Sequence, residues 1–347
     1  RARLGFIGAG WWATANHMPI LAARDDVELV SVCRLGAREL AQVRERFGFA
    51  HATEDYRELL AQELDGVVVS SPHTLHYEHA RAALERGRHV MVEKPMTTRG
   101  AEARELARIA RERGLHLLVP YGWNYKPFVE AAHGQIRRGA IGRVEFVTLQ
   151  MASPIRNLLS GADARMDGGM FDPDAATWAD PEVAGGGYAH AQLSHATGLL
   201  FYVLPELRAE SAFAFMAGPG ARVDLYDAIS VRFEGGAVGT VAGAGAVPRN
   251  LKFHLDLRIF GSEGMLLIDV ERERLAVRRQ DGRDFALPID PGEGAYSCDG
   301  PPNRFVELIL GRELPNNSSG EIGARSVELL DAAYRSARSG RLERVEG

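Results

Sequence analysis

A short apolar run at residues 4–7 ends in Gly8-Ala9-Gly10-Trp11-Trp12-Ala13, and this junction of strand and glycine turn restricts the chain more than any other stretch. Glycine at position 8 permits a tight turn, glycine at 10 lets backbone approach a pyrophosphate, and Ala13 lets the following helix pack closely on the strand. The start of that helix presents unpaired amide donors to a phosphate. The fingerprint is specific only inside a βαβ unit. The next hundred residues supply that setting: apolar runs at 27–32, 66–69, 89–92 and 115–120 read as strands buried on both faces of a parallel sheet. Amphipathic helical patterns at 37–47, 76–86 and 98–113 alternate with them. Gly87 and Gly114 stand just past two of these helices, where a left-handed cap residue belongs. The expectation is a doubly wound parallel sheet with a dinucleotide on Gly8, Gly10, Trp11, Trp12 and Ala13.

The run at 89–92 leads straight into Glu93-Lys94-Pro95. Ligands of an open α/β sheet bind at the carboxyl ends of its strands. Proline fixes the backbone and holds the preceding residue out of helical space. A lysine between a carboxylate and a proline at such a strand end is presented rigidly to whatever binds there. The second strand ends in Val32-Cys33-Arg34-Leu35-Gly36-Ala37-Arg38, with no carboxylate before Glu39. An acid at that point would take the ribose 2′-hydroxyl of NAD, whereas two guanidinium groups suit a 2′-phosphate. Arg34 and Arg38 therefore predict NADP as the preferred cofactor, with NAD as the alternative.

Beyond residue 122 the pattern changes. A helical stretch runs to about 138, a strand to 151, and a loop-like tract rich in Gly, Asp and Pro occupies 152–187. A helix at 192–203 is followed by strand patterns at 209–216, 228–233, 238–244, 253–260, 265–269 and 275–279, several split by glycine turns, which predicts an antiparallel sheet. Helices at 302–310 and 320–338 close the chain. The expected division is a Rossmann domain over 1–122 and an α+β domain with a large open sheet over 123–347, the C-terminal helix packing back on the first. The strands of 209–280 leave an apolar face with little sequence to cover it, which predicts a homodimer or homotetramer.

The 347 residues are 46% hydrophobic and 25% charged, with net charge −5, so nucleic acid is not an expected partner. No apolar stretch is long enough for a membrane span, and no leader is expected because Arg1-Ala2-Arg3 runs directly into a strand. Cys33 and Cys298 form no disulfide framework and lack metal-ligand spacing, and the histidines do not cluster with carboxylates, so no metal is expected. The expected location is the cytoplasm.

These residues together resemble the Gfo/Idh/MocA family of sugar and polyol oxidoreductases, over essentially the whole chain. The resemblance rests on Gly8-Ala9-Gly10, Ser71-Pro72-His73-Thr74-Leu75-His76, Glu93-Lys94-Pro95, Gly185-Gly186-Gly187 with His195, and Ala332-Ala333-Tyr334-Arg335-Ser336-Ala337. It implies hydride exchange between a nicotinamide cofactor and a hydroxyl or keto carbon of a sugar or polyol. It also implies that Ser71, Pro72, His73, His76, Glu93, Lys94 and Asn124 border the cofactor. Relatives often carry Asp four residues before the histidine that matches His195; here that residue is Ala191, and His73 replaces a common Asn. His195 is the expected proton acceptor, since imidazole titrates near working pH, and Lys94 the group that polarises the same oxygen. Trp123, Trp178, Tyr188, His190 and Gln192 are the remaining expected substrate contacts. Two alternatives stand beside the oxidoreductase: a non-catalytic dinucleotide sensor, and a glycosidase that uses the nicotinamide transiently.

Overall fold

The computed structural model describes residues 1–162, 168–248 and 251–346. Its first sheet is parallel. Strands β1 (Ala2–Ile7), β2 (Val27–Cys33), β3 (His51–Thr53), β4 (Gly66–Val69), β5 (His89–Val92) and β6 (Leu117–Leu118) lie in the order β3-β2-β1-β4-β5-β6. The order reverses between β1 and β4, which opens the crevice where ligands of such sheets bind. Leu4, Phe6, Val67, Val68, Met91 and Val92 are all buried, as continuous apolar strands covered on both faces must be. The turn after β1 explains its first glycine. Gly8 has φ +95°, and a Cβ there would sit 2.4 Å from the Ser70 backbone.

The second sheet has nine strands, β7 (Val144–Ala152), β8 (Ala209–Ala217), β9 (Tyr226–Phe233), β10 (Val238–Ala244), β11 (His254–Gly261), β12 (Gly264–Asp269), β13 (Arg274–Arg279), β14 (Phe285–Leu287) and β15 (Glu343–Arg344), in the order β14-β13-β12-β11-β7-β10-β9-β8-β15. The antiparallel expectation needs one correction: β7 and β10 pair in parallel at the centre. The chain between them detours through helix Ser194–Val203 and the β8–β9 hairpin, so β10 returns beside β7 in the same direction. Alternating burial along β9 shows one face turned to the core and one away from it. The short β3, β14 and β15 are absent from the sequence reading, and so are the single-turn helices Arg156–Leu159, Ala175–Ala179 and Pro181–Ala184 in the tract expected to be loop. Segments this short carry too few residues for periodicity to register.

The end of the chain returns to the first sheet. Helix Gly300–Ile309 buries Phe305, Val306 and Leu308 in the core that contains Leu4, Phe6, Val68, Met91 and Leu118. Burying a side chain the size of Phe305 contributes about 1.5–3 kcal/mol. Helix Gly320–Ser339 lies along helix Gly100–Glu112: Arg104 Nε donates to Glu328 Oε1 at 2.6 Å and Arg104 Nη1 to Glu321 Oε2 at 2.6 Å. The two sheets thus share packed elements. Among the described residues no helix is long and apolar enough to cross a membrane.

Candidate active site

Strand β5 delivers Glu93, Lys94 and Pro95 to the sheet edge, and the Lys94–Pro95 peptide bond is cis. Glu93 is clamped from the glycine-loop side. Its Oε1 accepts from Trp12 Nε1 at 2.8 Å and meets His17 Nε2 at 2.5 Å, and its Oε2 accepts from the Lys94 amide at 3.0 Å. Burial alone would raise this acid's pKa; the bond to His17 and the charges of His17 and Lys94 overcome it and hold the group below its ordinary value. A rigid Glu93 fixes the backbone from which Lys94 projects.

Lys94 is 6% exposed, and its Nζ donates to the Ala191 carbonyl at 2.5 Å. Burial lowers its pKa, opposed by the charge of Glu93. The Trp178 ring centre is 5.9 Å from Nζ, and Trp178 meets His73 edge to face at 5.6 Å. His195 lies one helical turn beyond Ala191, walled by Tyr296 at 5.0 Å, Trp123 at 5.7 Å and Tyr121 at 6.4 Å between ring centres. Its Nδ1 has no partner. Burial first, and then the Lys94 charge, push the imidazole well below its ordinary pKa, so at neutral pH it is uncharged and able to take a proton. From Gly186 to Val203 every residue is buried except Gln192, which is partly open. Lys94, Trp178 and His73 thus form one cluster, which His195 joins through the charge of Lys94.

The glycine loop fits a dinucleotide. A Cβ on Gly10 would meet nothing within 4 Å, so open space lies where a pyrophosphate would approach. Thr14 Oγ1 donates to Gly10 O at 2.9 Å and accepts from the Met170 amide at 3.1 Å, which brings the second domain across this loop. Trp11 and Trp12 flank it, ring centres 5.4 Å apart, and Ala13 is buried as close packing requires. Ser71 is tied to its surroundings twice: its Oγ meets His79 Nδ1 at 2.8 Å, and its carbonyl meets His76 Nε2 at 2.7 Å. Pro72 precedes the 3₁₀ turn His73–Leu75.

Several expected contacts are buried and bonded to the protein itself. Tyr188 is fully buried, with its hydroxyl 2.9 Å from Ser153 Oγ, so its bulk fills the core. His190 is 1% exposed and packs on Tyr334 at 4.5 Å. Asn124 is buried, its amide donating to Asn317 O at 2.9 Å, which joins the end of the first sheet to the segment before the last helix. His76 has both ring nitrogens on carbonyls, of Pro95 at 2.8 Å and Ser71 at 2.7 Å, and so braces two loops. Trp123 is 3% exposed and donates to Gly294 O at 3.1 Å, forming the wall behind His195. Arg34 does not project freely: its Nη1 donates to Ala9 O at 2.9 Å and its guanidinium lies 4.3 Å over the Phe171 ring. Arg38 is exposed. Glu54, overlooked in the sequence, accepts from the Gly36 amide at 2.6 Å beside the same turn.

Three further site residues escape sequence reasoning. His17 carries no motif; it comes within reach of Glu93 because the helix after the glycine loop opens into a π turn over Ala13–His17. Tyr296 and Cys298 arrive on a loop some two hundred residues from Lys94. Burial and the charge of Glu93 push the Cys298 thiol up to about 12, opposed by Lys94. Among the described residues no three His, Cys, Asp or Glu side chains gather to hold a metal.

Comparison with known proteins agrees with this architecture. Residues 2–121 match the model of an oxidoreductase family with an NAD-binding Rossmann fold, and residues 129–267 match the GFO/IDH/MocA C-terminal domain. The dTDP-3,4-didehydro-2,6-dideoxy-alpha-D-glucose 3-reductase of Streptomyces antibioticus is 27% identical over 303 residues, 84% of each chain. The D-glucoside 3-dehydrogenase of Escherichia coli (strain K12) is 35% identical over 147 residues, so this chain spans 42% of that relative's length. The solved levoglucosan dehydrogenase in complex with NADH and levoglucosan shares the fold, with TM-score 0.77, 21% identity and full coverage of both chains. On the two matched domains, the chain is a member of the Gfo/Idh/MocA family of oxidoreductases.

Proposed function

We propose that the protein exchanges a hydride between a nicotinamide dinucleotide and a CH–OH or keto carbon of a sugar, polyol or related small molecule. One observation carries this reading: the Lys94 ammonium, held on the Ala191 carbonyl, acts on the buried His195 imidazole at the strand end whose Glu93 is bonded to Trp12 of the glycine loop. When bound, the nicotinamide supplies the hydride acceptor, or the donor in the reverse direction. Gly8, Gly10, Trp11, Trp12 and Ala13 would hold the dinucleotide phosphates and ribose. Lys94 donates a hydrogen bond to the reacting oxygen and stabilises the charge that develops there, while His195 removes its proton. Gln192 and Trp178 border the substrate, with Trp178 offering a sugar its ring face.

Arg38, and the part of Arg34 not bound to Ala9, support NADP(H) as the preferred form. Glu54 at the Gly36 amide supports NAD(H) as the second reading, since a carboxylate near that turn suits a ribose 2′-hydroxyl. The outward face of the second sheet exposes Phe215 at 71%, Val238 at 46% and Phe146 at 37%, which supports self-association into a homodimer or homotetramer. A nicotinamide requirement fits a cytoplasmic location. The test is steady-state turnover of purified protein with NAD⁺ and NADP⁺ on D-glucose, levoglucosan and myo-inositol. Net formation of reduced nicotinamide supports the oxidoreductase. Tight cofactor retention with glycoside cleavage and no net reduction would replace it by the glycosidase, and binding without turnover by the sensor.

A further inference from the structure

The helix that carries Ala191 and His195 begins inside the protein, where its first amides have no water to bind. No residue preceding that helix caps it. The acceptors come from Asp224, in the connection between β8 and β9. Asp224 Oδ1 accepts from the Gly187 amide at 2.7 Å, its backbone carbonyl from the Tyr188 amide at 2.8 Å, and its Oδ2 from the Ala189 amide at 2.9 Å. One residue thus captures three consecutive N–H groups. The Tyr334 hydroxyl, from the last helix, donates to Asp224 Oδ1 at 2.9 Å and lies 3.1 Å from the Gly187 amide.

This contact explains two sequence motifs that the chemistry leaves unused. A Cβ on Gly186 would stand 2.3 Å from the Tyr334 hydroxyl, and one on Gly187 would stand 2.1 Å from the Asp224 carbonyl. Gly186 and Gly187 are glycine because Tyr334 and Asp224 approach that closely, whereas Gly185 has φ +74° and faces Thr98. The next bond along the chain is Ala191 N to Gly187 O at 2.9 Å, and the Ala191 carbonyl is the acceptor of Lys94 Nζ. Among the described residues, Asp227, His190 and Tyr334 interact with Asp224, and Arg222 and Arg338 line the same pocket.

We propose that Asp224 is a positioning residue: supported by Tyr334, it caps the active-site helix across the fold and so sets where the Ala191 carbonyl holds Lys94 and where His195 points. The proposal rests on the catalytic reading above for its consequence and on the cap geometry alone for its structure, so the two are tested separately. Amide hydrogen exchange on the full chain tests the cap. Asp224→Ala should accelerate exchange at residues 187–189 and in the turn that follows; unchanged protection there overturns the proposal whatever the protein catalyses. Steady-state kinetics on a sugar that the unmutated protein oxidises tests the consequence. Tyr334→Phe should fold with a nearly unchanged Tm, lower kcat about 10–100-fold, leave the cofactor KM unchanged and move the pH profile of kcat, as a slight misplacement of catalytic groups does. Asp224→Asn keeps an acceptor oxygen and should recover part of the turnover lost in Asp224→Ala. If Tyr334→Phe and Asp224→Asn keep the unmutated kcat and pH profile while only Tm falls, Asp224 is structural and the proposal fails. If the unmutated protein oxidises no sugar, the catalytic reading fails while the exchange result still decides the cap.

Discussion

At residue scale the site replaces one expected side chain with backbone. Where relatives often place a carboxylate, this chain has Ala191, and its carbonyl takes the Lys94 ammonium at 2.5 Å. The lysine thereby gains a fixed direction without a second buried charge. In the proposed reaction the His195 imidazole beside it takes the proton. Lys94→Ala and His195→Ala should each cut turnover by about 10²–10⁴-fold while cofactor binding, read by fluorescence titration, stays nearly intact. Because the two serve one proton transfer, the double variant should lose less than the product of the single losses; multiplicative losses would show that they act on separate steps. The arginines divide differently than the sequence suggests. Arg34 holds the Ala9 carbonyl and stacks on Phe171 with only part of its guanidinium free, so Arg34→Ala should weaken both cofactors and NADP(H) somewhat more. Arg38 is exposed, and Arg38→Ala should weaken NADP(H) by about 1.5–3 kcal/mol, the worth of a charge-assisted bond, and leave NAD(H) unchanged. Equal affinity of the unmutated protein for both cofactors would remove the case for NADP(H).

At element scale the parts that the sequence declares are those built by local rules. The glycine turn after β1, helix Ala37–Phe47, and strands β4, β5 and β10 fall where periodicity and turn residues put them, because each is long enough, or sharply enough bounded, for the pattern to register. The expected site residues Tyr188 and His190 are buried for a shared reason. Tyr188, His190 and Gln192 lie close together in sequence, yet the π turn over Ala189–Leu193 and the cap on its first amides rotate the first two into the core and leave only Gln192 open. A straight helix drawn from sequence cannot show that rotation. Tyr296, Cys298 and His17 are invisible for another reason: tertiary packing alone brings them to the site. Gly187 tests the packing at this turn. Gly187→Ala would drive a methyl group against the Asp224 carbonyl, and should cost about 1–3 kcal/mol by overpacking, read as a lower Tm, together with lost turnover. A variant with unmutated Tm and kcat would show that the turn is looser than its contacts indicate.

At the scale of the whole molecule, burial makes the protein acid-sensitive. His73, His76, His79, His190 and His195 all have pKa values below the ordinary 6.5, with burial the leading cause, and His79 and His190 fall to about 4. Each is neutral when folded and ordinary when unfolded. Their contribution to stability is therefore complete above pH 6.5 and is lost as pH falls from there through the folded-state values. Asp227 and Glu102, pushed up by burial, work in the opposite sense, but they are outnumbered by the histidines, His89 and His116 included. Thermal melts should show Tm falling from pH 7 to pH 5; a flat Tm would mean that these histidines meet water. Light scattering should give a dimer or tetramer, and Phe215→Glu on the outward sheet face should shift it toward monomer. In the proposed reaction a hydride passes directly between sugar carbon and nicotinamide. This transfer is tested most directly by incubating the protein with NAD⁺ or NADP⁺ and carbon-deuterated D-glucose, levoglucosan or myo-inositol, then locating the label by NMR. The account predicts one deuterium in each reduced nicotinamide formed, and reduced nicotinamide without deuterium, or none formed from any of these sugars, would contradict it.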